Sequence, residues 1–121
     1  MSVPPVIDPE LVQEAKQAMK SKFPMMVEYY LEDAHAYIQV ICSAYREQNA
    51  AKLLAPAHTL KSSSRQMGAL QLSELAREIE TLTRAVIDGG PDLKALEDKI
   101  ARLNSYFQAV EQALREDIDG A

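Results

Sequence analysis

LKALEDKIARLNSYFQAVEQAL, residues 93–114, decides the fold. Leu93, Leu96, Ile100, Leu103, Phe107, Val110 and Leu114 recur at steps of three and four residues. That step matches the helical turn and gathers these side chains on one stripe. A stripe sustained this long is the seam of a helix packed among other helices. Pro91, after the Gly89-Gly90 break, is expected to open this helix.

Working back from the seam, the same period recurs. Leu72, Leu75, Ile79, Leu82 and Val86 mark a fourth helix that stops at Asp88-Gly89-Gly90. A third helix fits between Asn49, a capping residue, and Gly68, suited to a left-handed C-terminal position. Pro24 opens the second, whose apolar face is Val27, Leu31, Ala34, Ile38, Ile41 and Tyr45. Glu28, Glu32, His35, Gln39 and Arg46 lie on its other side, as a solvated face. Asp8-Pro9-Glu10 is an Asp cap followed by Pro, the start of a short helix over about 9–20. No segment alternates as a strand does. The expected fold is all-α: an antiparallel four-helix bundle over about 22–118, with an additional short N-terminal helix, in one domain spanning 1–121.

Bulk properties narrow the function. Apolar residues make up 47% and charged residues 26%, the balance of a soluble globular chain. The formal charge of −5 argues against a nucleic-acid binder, which needs a basic face for phosphates. Cys42 is the only cysteine, so no intrachain disulfide forms and a reducing compartment is the simplest home. MSVPPVIDPE lacks the basic start and apolar run of a signal peptide. No uncharged apolar stretch is long enough to span a bilayer. The expectation is a cytoplasmic protein.

The third helix carries the chemistry: LAPAHTLKSSSRQMGAL, residues 54–70. At about 100° per residue, Leu60, Met67 and Leu53 fall roughly 180–220° from His58 and point to the core. Ala51, Leu54, Ala55, Lys61, Ser62 and Arg65 fall on the His58 side. The periodicity therefore turns His58 outward, between two cations and small residues that leave room for another protein. A neutral imidazole is a good nucleophile near neutral pH. Lys61, one turn on, offsets the negative charge of an incoming or attached phosphoryl group. Leu54 is a candidate docking contact, and Arg65 a candidate for steering an acidic partner. Pro56 removes one backbone hydrogen bond from the helix.

No phosphate-binding glycine loop, metal-ligand cluster or hydrolase elbow stands near His58. His35 lies on a different helix, and the Glu-x-x-His pairs of a metal bundle are missing. A nucleophilic histidine without catalytic company suggests a carrier whose chemistry is completed by its partners. No cofactor or metal is expected in this chain.

At these residues a family resemblance emerges. Ala57-His58-Thr59-Leu60-Lys61-Ser62-Ser63-Ser64, then Met67-Gly68-Ala69 and Leu72, resembles the signature of histidine-containing phosphotransfer (HPt) domains. Glu78-Ile79-Glu80 matches the stretch where that family often has Leu-Glu or a Gln on the next helix. The resemblance covers residues from about 20 to 118. It departs at Ser62, where the family usually has Gly to let a partner's backbone come close. A hydroxymethyl group there bears on receiver preference and transfer rate, and offers a hydrogen bond to a bound phosphoryl group. Glu80 stands where some relatives have Gln, and a carboxylate there is expected to hold Lys61 or to orient His58.

The resemblance implies a phosphorelay. His58 takes a phosphoryl group from the aspartate of one receiver domain, usually on Nε2, and passes it to the aspartate of another. It implies Lys61 as charge stabiliser, with Leu54, Ala55, Ser62, Arg65, Gly68 and Glu80 as supporting or docking residues. The partners implied are response-regulator receiver domains, which supply Mg²⁺, and a hybrid sensor kinase. The chain is expected to be a free-standing monomeric phosphocarrier without ATP-dependent kinase activity of its own. The alternative is a helical module that docks a receiver or kinase and regulates it without phosphate turnover.

Overall fold

The computed structural model describes residues 5–119. Helix α1 spans Pro9–Met19, α2 Phe23–Arg46, α3 Ala51–Gln66, α4 Leu70–Ile87 and α5 Glu97–Asp119. Short 3₁₀ turns at Lys20–Lys22 and Leu93–Leu96 precede α2 and α5. The described residues contain no strand. Helices α2 to α5 pack in a ring: α2 on α3, α3 on α4, α4 on α5, and α5 back on α2. Short connections make consecutive helices antiparallel.

The seam is buried as its spacing requires. Leu96, Ile100, Leu103, Phe107, Val110 and Leu114 face Val27, Leu31, Ile38 and Ile41 of α2 and Leu72, Leu75 and Ile79 of α4 in one core. Tyr45, Leu82 and Val86 are only half-buried, near the ends of their helices. The start of α5 differs from expectation. Pro91 lies outside the helix, and Asp92 caps the 3₁₀ turn by accepting from the Lys94 amide at 2.8 Å. The chain turns helical where a side chain can satisfy the first free amides, and Asp92 rather than Pro91 supplies that acceptor. Asn49 likewise accepts from the Lys52 amide at 3.3 Å, while α3 itself begins at Ala51.

Helix α1 lies against the bundle at the C-terminal end of α3. Asp8 caps it through the Glu10 amide at 2.9 Å, and Val12 and Ala15 bury its inner side. Lys16 ties it to Asp117 of α5 at 2.7 Å. Gly68 is the joint. It ends α3 with φ +79°, and its carbonyl accepts from the Asp8 amide at 2.7 Å. A Cβ there would lie 3.0 Å from Val12 Cγ2 and 3.1 Å from the Asp8 carbonyl oxygen. Gly68 is thus buried beneath α1, a supporting position and not a surface for a partner.

Gly89 also has a positive φ, of 90°, but nothing lies near its missing Cβ. Gly89→Ala is therefore expected to cost only the left-handed strain, about 1–2 kcal/mol. Gly68→Ala adds a collision with α1 and is expected to cost at least ~1 kcal/mol more. Urea unfolding followed by circular dichroism measures both; equal losses would contradict the tight seating of α1.

Candidate functional site

Helix α3 separates its two sides sharply. Leu53, Ala57 and Leu60 are fully buried, whereas Ala55, His58, Ser62 and Arg65 are exposed. The helix runs unbroken through Pro56, whose ring is itself buried in the packing. Two hydrogen bonds fix α3 from beneath and beside. Ser64 is buried and shares a 2.7 Å hydrogen bond with the Tyr30 hydroxyl of α2. Burial pushes the Tyr30 phenol up to about 12, against the opposing pull of Ser64. Ser73 of α4 donates to the Lys61 carbonyl at 2.8 Å. Ser64 is therefore a packing residue and not part of the surface around His58.

The His58 side chain is 59% exposed, and its Nδ1 lies 2.9 Å from Glu80 Oε2. Lys61 Nζ donates to the other carboxylate oxygen, Oε1, at 2.8 Å. Arg84, one turn after Glu80 on α4, donates to Oε2 at 3.0 Å. Glu80 itself is only 7% exposed in its side chain. One buried carboxylate of α4 thus holds an imidazole and an ammonium of α3 and a guanidinium of its own helix. Burial alone would raise the Glu80 carboxyl above its usual range. The hydrogen bonds from Lys61, Arg84 and His58 outweigh it and hold the group down to about 2.

This ionisation decides the chemistry of the ring. A carboxylate has only lone pairs to offer, so Nδ1 must carry the hydrogen and donate it. In the neutral ring the lone pair then resides on Nε2. Nε2 has no hydrogen-bond partner among the described residues. The site presents an oriented, unblocked nitrogen nucleophile beside two cations.

The sequence-predicted residues distribute unevenly. His58, Lys61 and Glu80 are brought into one network. Ala55, Ser62 and Arg65 border it as exposed residues, and Leu54 is half-buried. The Ser62 hydroxyl donates to the His58 carbonyl at 3.3 Å, a bond within its own helix. Gly68 is not brought to the site. Arg84 is the member that sequence reasoning missed. Its signal was present, since Glu80 and Arg84 are spaced to pair on one helical face. The described residues hold no cluster of three or more His, Cys, Asp or Glu placed to bind a metal, and no helix is long and apolar enough to cross a membrane.

An all-helical bundle that offers one oriented imidazole beside two cations is chemically suited to carry a phosphoryl group. Comparison with known proteins agrees: the family model of the Hpt domain matches residues 25–118. The chain belongs to the Hpt family of histidine-containing phosphotransfer domains, and its role is histidine phosphotransfer in a phosphorelay. Its fold is that of histidine-containing phosphotransfer protein B from Pseudomonas aeruginosa PAO1, with a TM-score of 0.87 at 20% sequence identity over 97% of each chain. No curated protein matched the sequence.

The Glu80 network makes a pH prediction. Because folding lowers this carboxyl from 4.5 to about 2, it stabilises the fold above pH 4.5, and that contribution fades as pH falls toward 2. Glu80→Gln is expected to remove this part of the acid sensitivity. The difference between wild-type and variant unfolding free energies should shrink steadily between those two pH values. A difference that stays constant would show that Glu80 is not held ionised.

Proposed function

We propose that His58 is the phosphoacceptor and that Nε2 is the reacting atom. The observation that carries this is the 2.9 Å contact between Nδ1 and an ionised, buried Glu80, which leaves Nε2 as the free lone pair. The Nε2 lone pair attacks the phosphorus of a receiver's aspartyl phosphate. The bond from phosphorus to the aspartate oxygen breaks, and the aspartate leaves as a carboxylate. The phosphorylated ring keeps its Nδ1 hydrogen and is formally cationic, and Glu80 faces that charge. Transfer onward is the reverse displacement by a second receiver's aspartate.

Lys61 is the charge stabiliser. Its ammonium spends one hydrogen on Glu80 and has two more to offer to phosphoryl oxygens. Its side chain is 30% exposed, so it is held in place yet reachable from outside. Charge-assisted contacts of this kind matter most where charge builds up during transfer. Glu80 is a positioning residue, since it acts through the ring and never touches phosphate.

The partners are response-regulator receiver domains, which bring the acidic pocket and Mg²⁺, and a hybrid sensor kinase that feeds the first of them. The chain works as a cytoplasmic monomer with one exposed face for successive partners, and without kinase activity of its own. Helix α1 belongs to the same domain as the bundle. A serine at position 62 tunes the partner's approach beside His58.

Phosphoryl transfer from a panel of phosphorylated receiver domains tests the reading. Wild-type protein is expected to take an acid-labile, base-stable label; His58→Gln takes none while keeping its helical spectrum. Lys61→Ala is expected to slow transfer by about 100-fold. Label retained by His58→Gln would refute the site. Receiver binding without any label on the wild type would favour a docking module that regulates without turnover.

A further inference from the structure

A groove of about 390 Å³ runs between α2 and α5. The helices pack in the ring order α2, α3, α4, α5, so this edge of the bundle lies opposite the α3/α4 edge that carries His58. Leu31 and Phe107, both nearly covered, form the floor of the groove. The His35 ring leans on Phe107, with centroids 5.8 Å apart and planes tilted by 43°. Carboxylates stand at the rim: Glu28 and Glu32 from α2, and Glu111 from α5.

The groove seats one cation of its own. Arg115 pairs with Glu28 across the two helices, and with Glu111 on its own helix at 3.3 Å. Glu32 lies one turn along α2 from Glu28 and has no hydrogen bond or ion pair among the described residues. A carboxylate therefore stands unpaired beside an apolar floor and an aromatic wall. The charge of the whole helices is lopsided in the same sense. Helices α2 and α5 hold nine acidic and four basic residues, whereas α3 and α4 hold three acidic and five basic ones. Such a field steers a basic partner to the groove edge and an acidic one to the His58 edge. The side chain that fits is arginine, which joins an apolar stem to a planar charged fork. Its stem matches Leu31 and Phe107, and its fork matches the Glu32 carboxylate.

We propose that the α2/α5 groove is a second docking surface, which takes an arginine from a basic amphipathic segment of a partner protein. The arginine lies beside Arg115 and repeats its mode of pairing one turn along α2, and a neighbouring apolar residue of the segment rests on the His35 ring. The partner is held on the edge away from His58, so the two edges are occupied independently. This inference stands apart from the assignment of the phosphoacceptor.

The experiment uses the full chain and a fluorescent synthetic helix that presents Arg and Leu along one face, in about 0.15 M salt. Glu32→Lys reverses the charge at the rim. Asp33→Lys makes the same change in net charge at a neighbouring exposed position outside the groove, and is the control. By fluorescence anisotropy, Glu32→Lys is expected to weaken binding at least about tenfold, and Asp33→Lys less than about threefold. In amide spectra of the ¹⁵N-labelled wild type, the peptide is expected to move resonances of α2 and α5 along the groove and to leave those around His58 in place. Equal weakening by the two substitutions would show a general attraction between opposite charges and overturn the inference. Largest shifts around His58, or no binding to the wild type up to about 1 mM peptide, would overturn it as well.

Discussion

The buried carboxylate of Glu80 is the constraint on which the site depends. A carboxylate covered from water is costly unless its oxygens find donors. Here the donors are His58, Lys61 and Arg84, and they come from both α3 and α4. The same contacts that make the carboxylate tolerable fix the imidazole's tautomer and hold the ammonium beside it. Stability and reactivity are therefore not separable at this position. Removing the carboxylate leaves two cations facing each other and a ring free to choose either tautomer.

The rest of the bundle serves to keep that carboxylate opposite His58. Helices α3 and α4 share the most extensive packing in the molecule. Leu53, Ala57 and Leu60 lock the rotation of α3, so His58 can only face outward. Tyr30–Ser64 and Ser73–Lys61 add direction to packing that apolar contacts alone would leave free to slide. The seam of α5 closes the ring from the far side. A carrier without an enclosed pocket still needs this rigidity, because a misplacement on the order of 1 Å at the nucleophile can cost about 100-fold in rate.

Much of this was legible in the sequence, and the reasons are local. The seam residues from Leu96 to Leu114, the outward turn of His58 and the left-handed end at Gly68 all follow from periodicity or backbone preference. The short-range pair of Glu80 and Arg84 is readable too, by helical spacing. What periodicity could not give was tertiary. Glu80 lies on the helix after His58, and only the family resemblance suggested that it reaches the ring. Gly68 reads as a helix stop, yet its burial beneath α1 depends on how the N-terminal helix folds back. Ser64 falls about 240° from His58, on the core side of the wheel, but its hydrogen-bond partner Tyr30 on α2 is tertiary and could not be read from spacing. The delayed start of α5 reflects a contest between Pro91 and Asp92 that composition does not resolve.

The central claim is that Glu80 holds the proton on Nδ1 and leaves Nε2 as the nucleophile. The direct test is the ¹⁵N spectrum of the His58 ring at about pH 8.5, above the ordinary titration range of imidazole. The account predicts a protonated Nδ1 and an unprotonated Nε2 in the wild type, and a mixture of tautomers in Glu80→Ala. A wild-type ring protonated on Nε2 would contradict it, because the atom proposed to attack phosphorus would then have no lone pair to give.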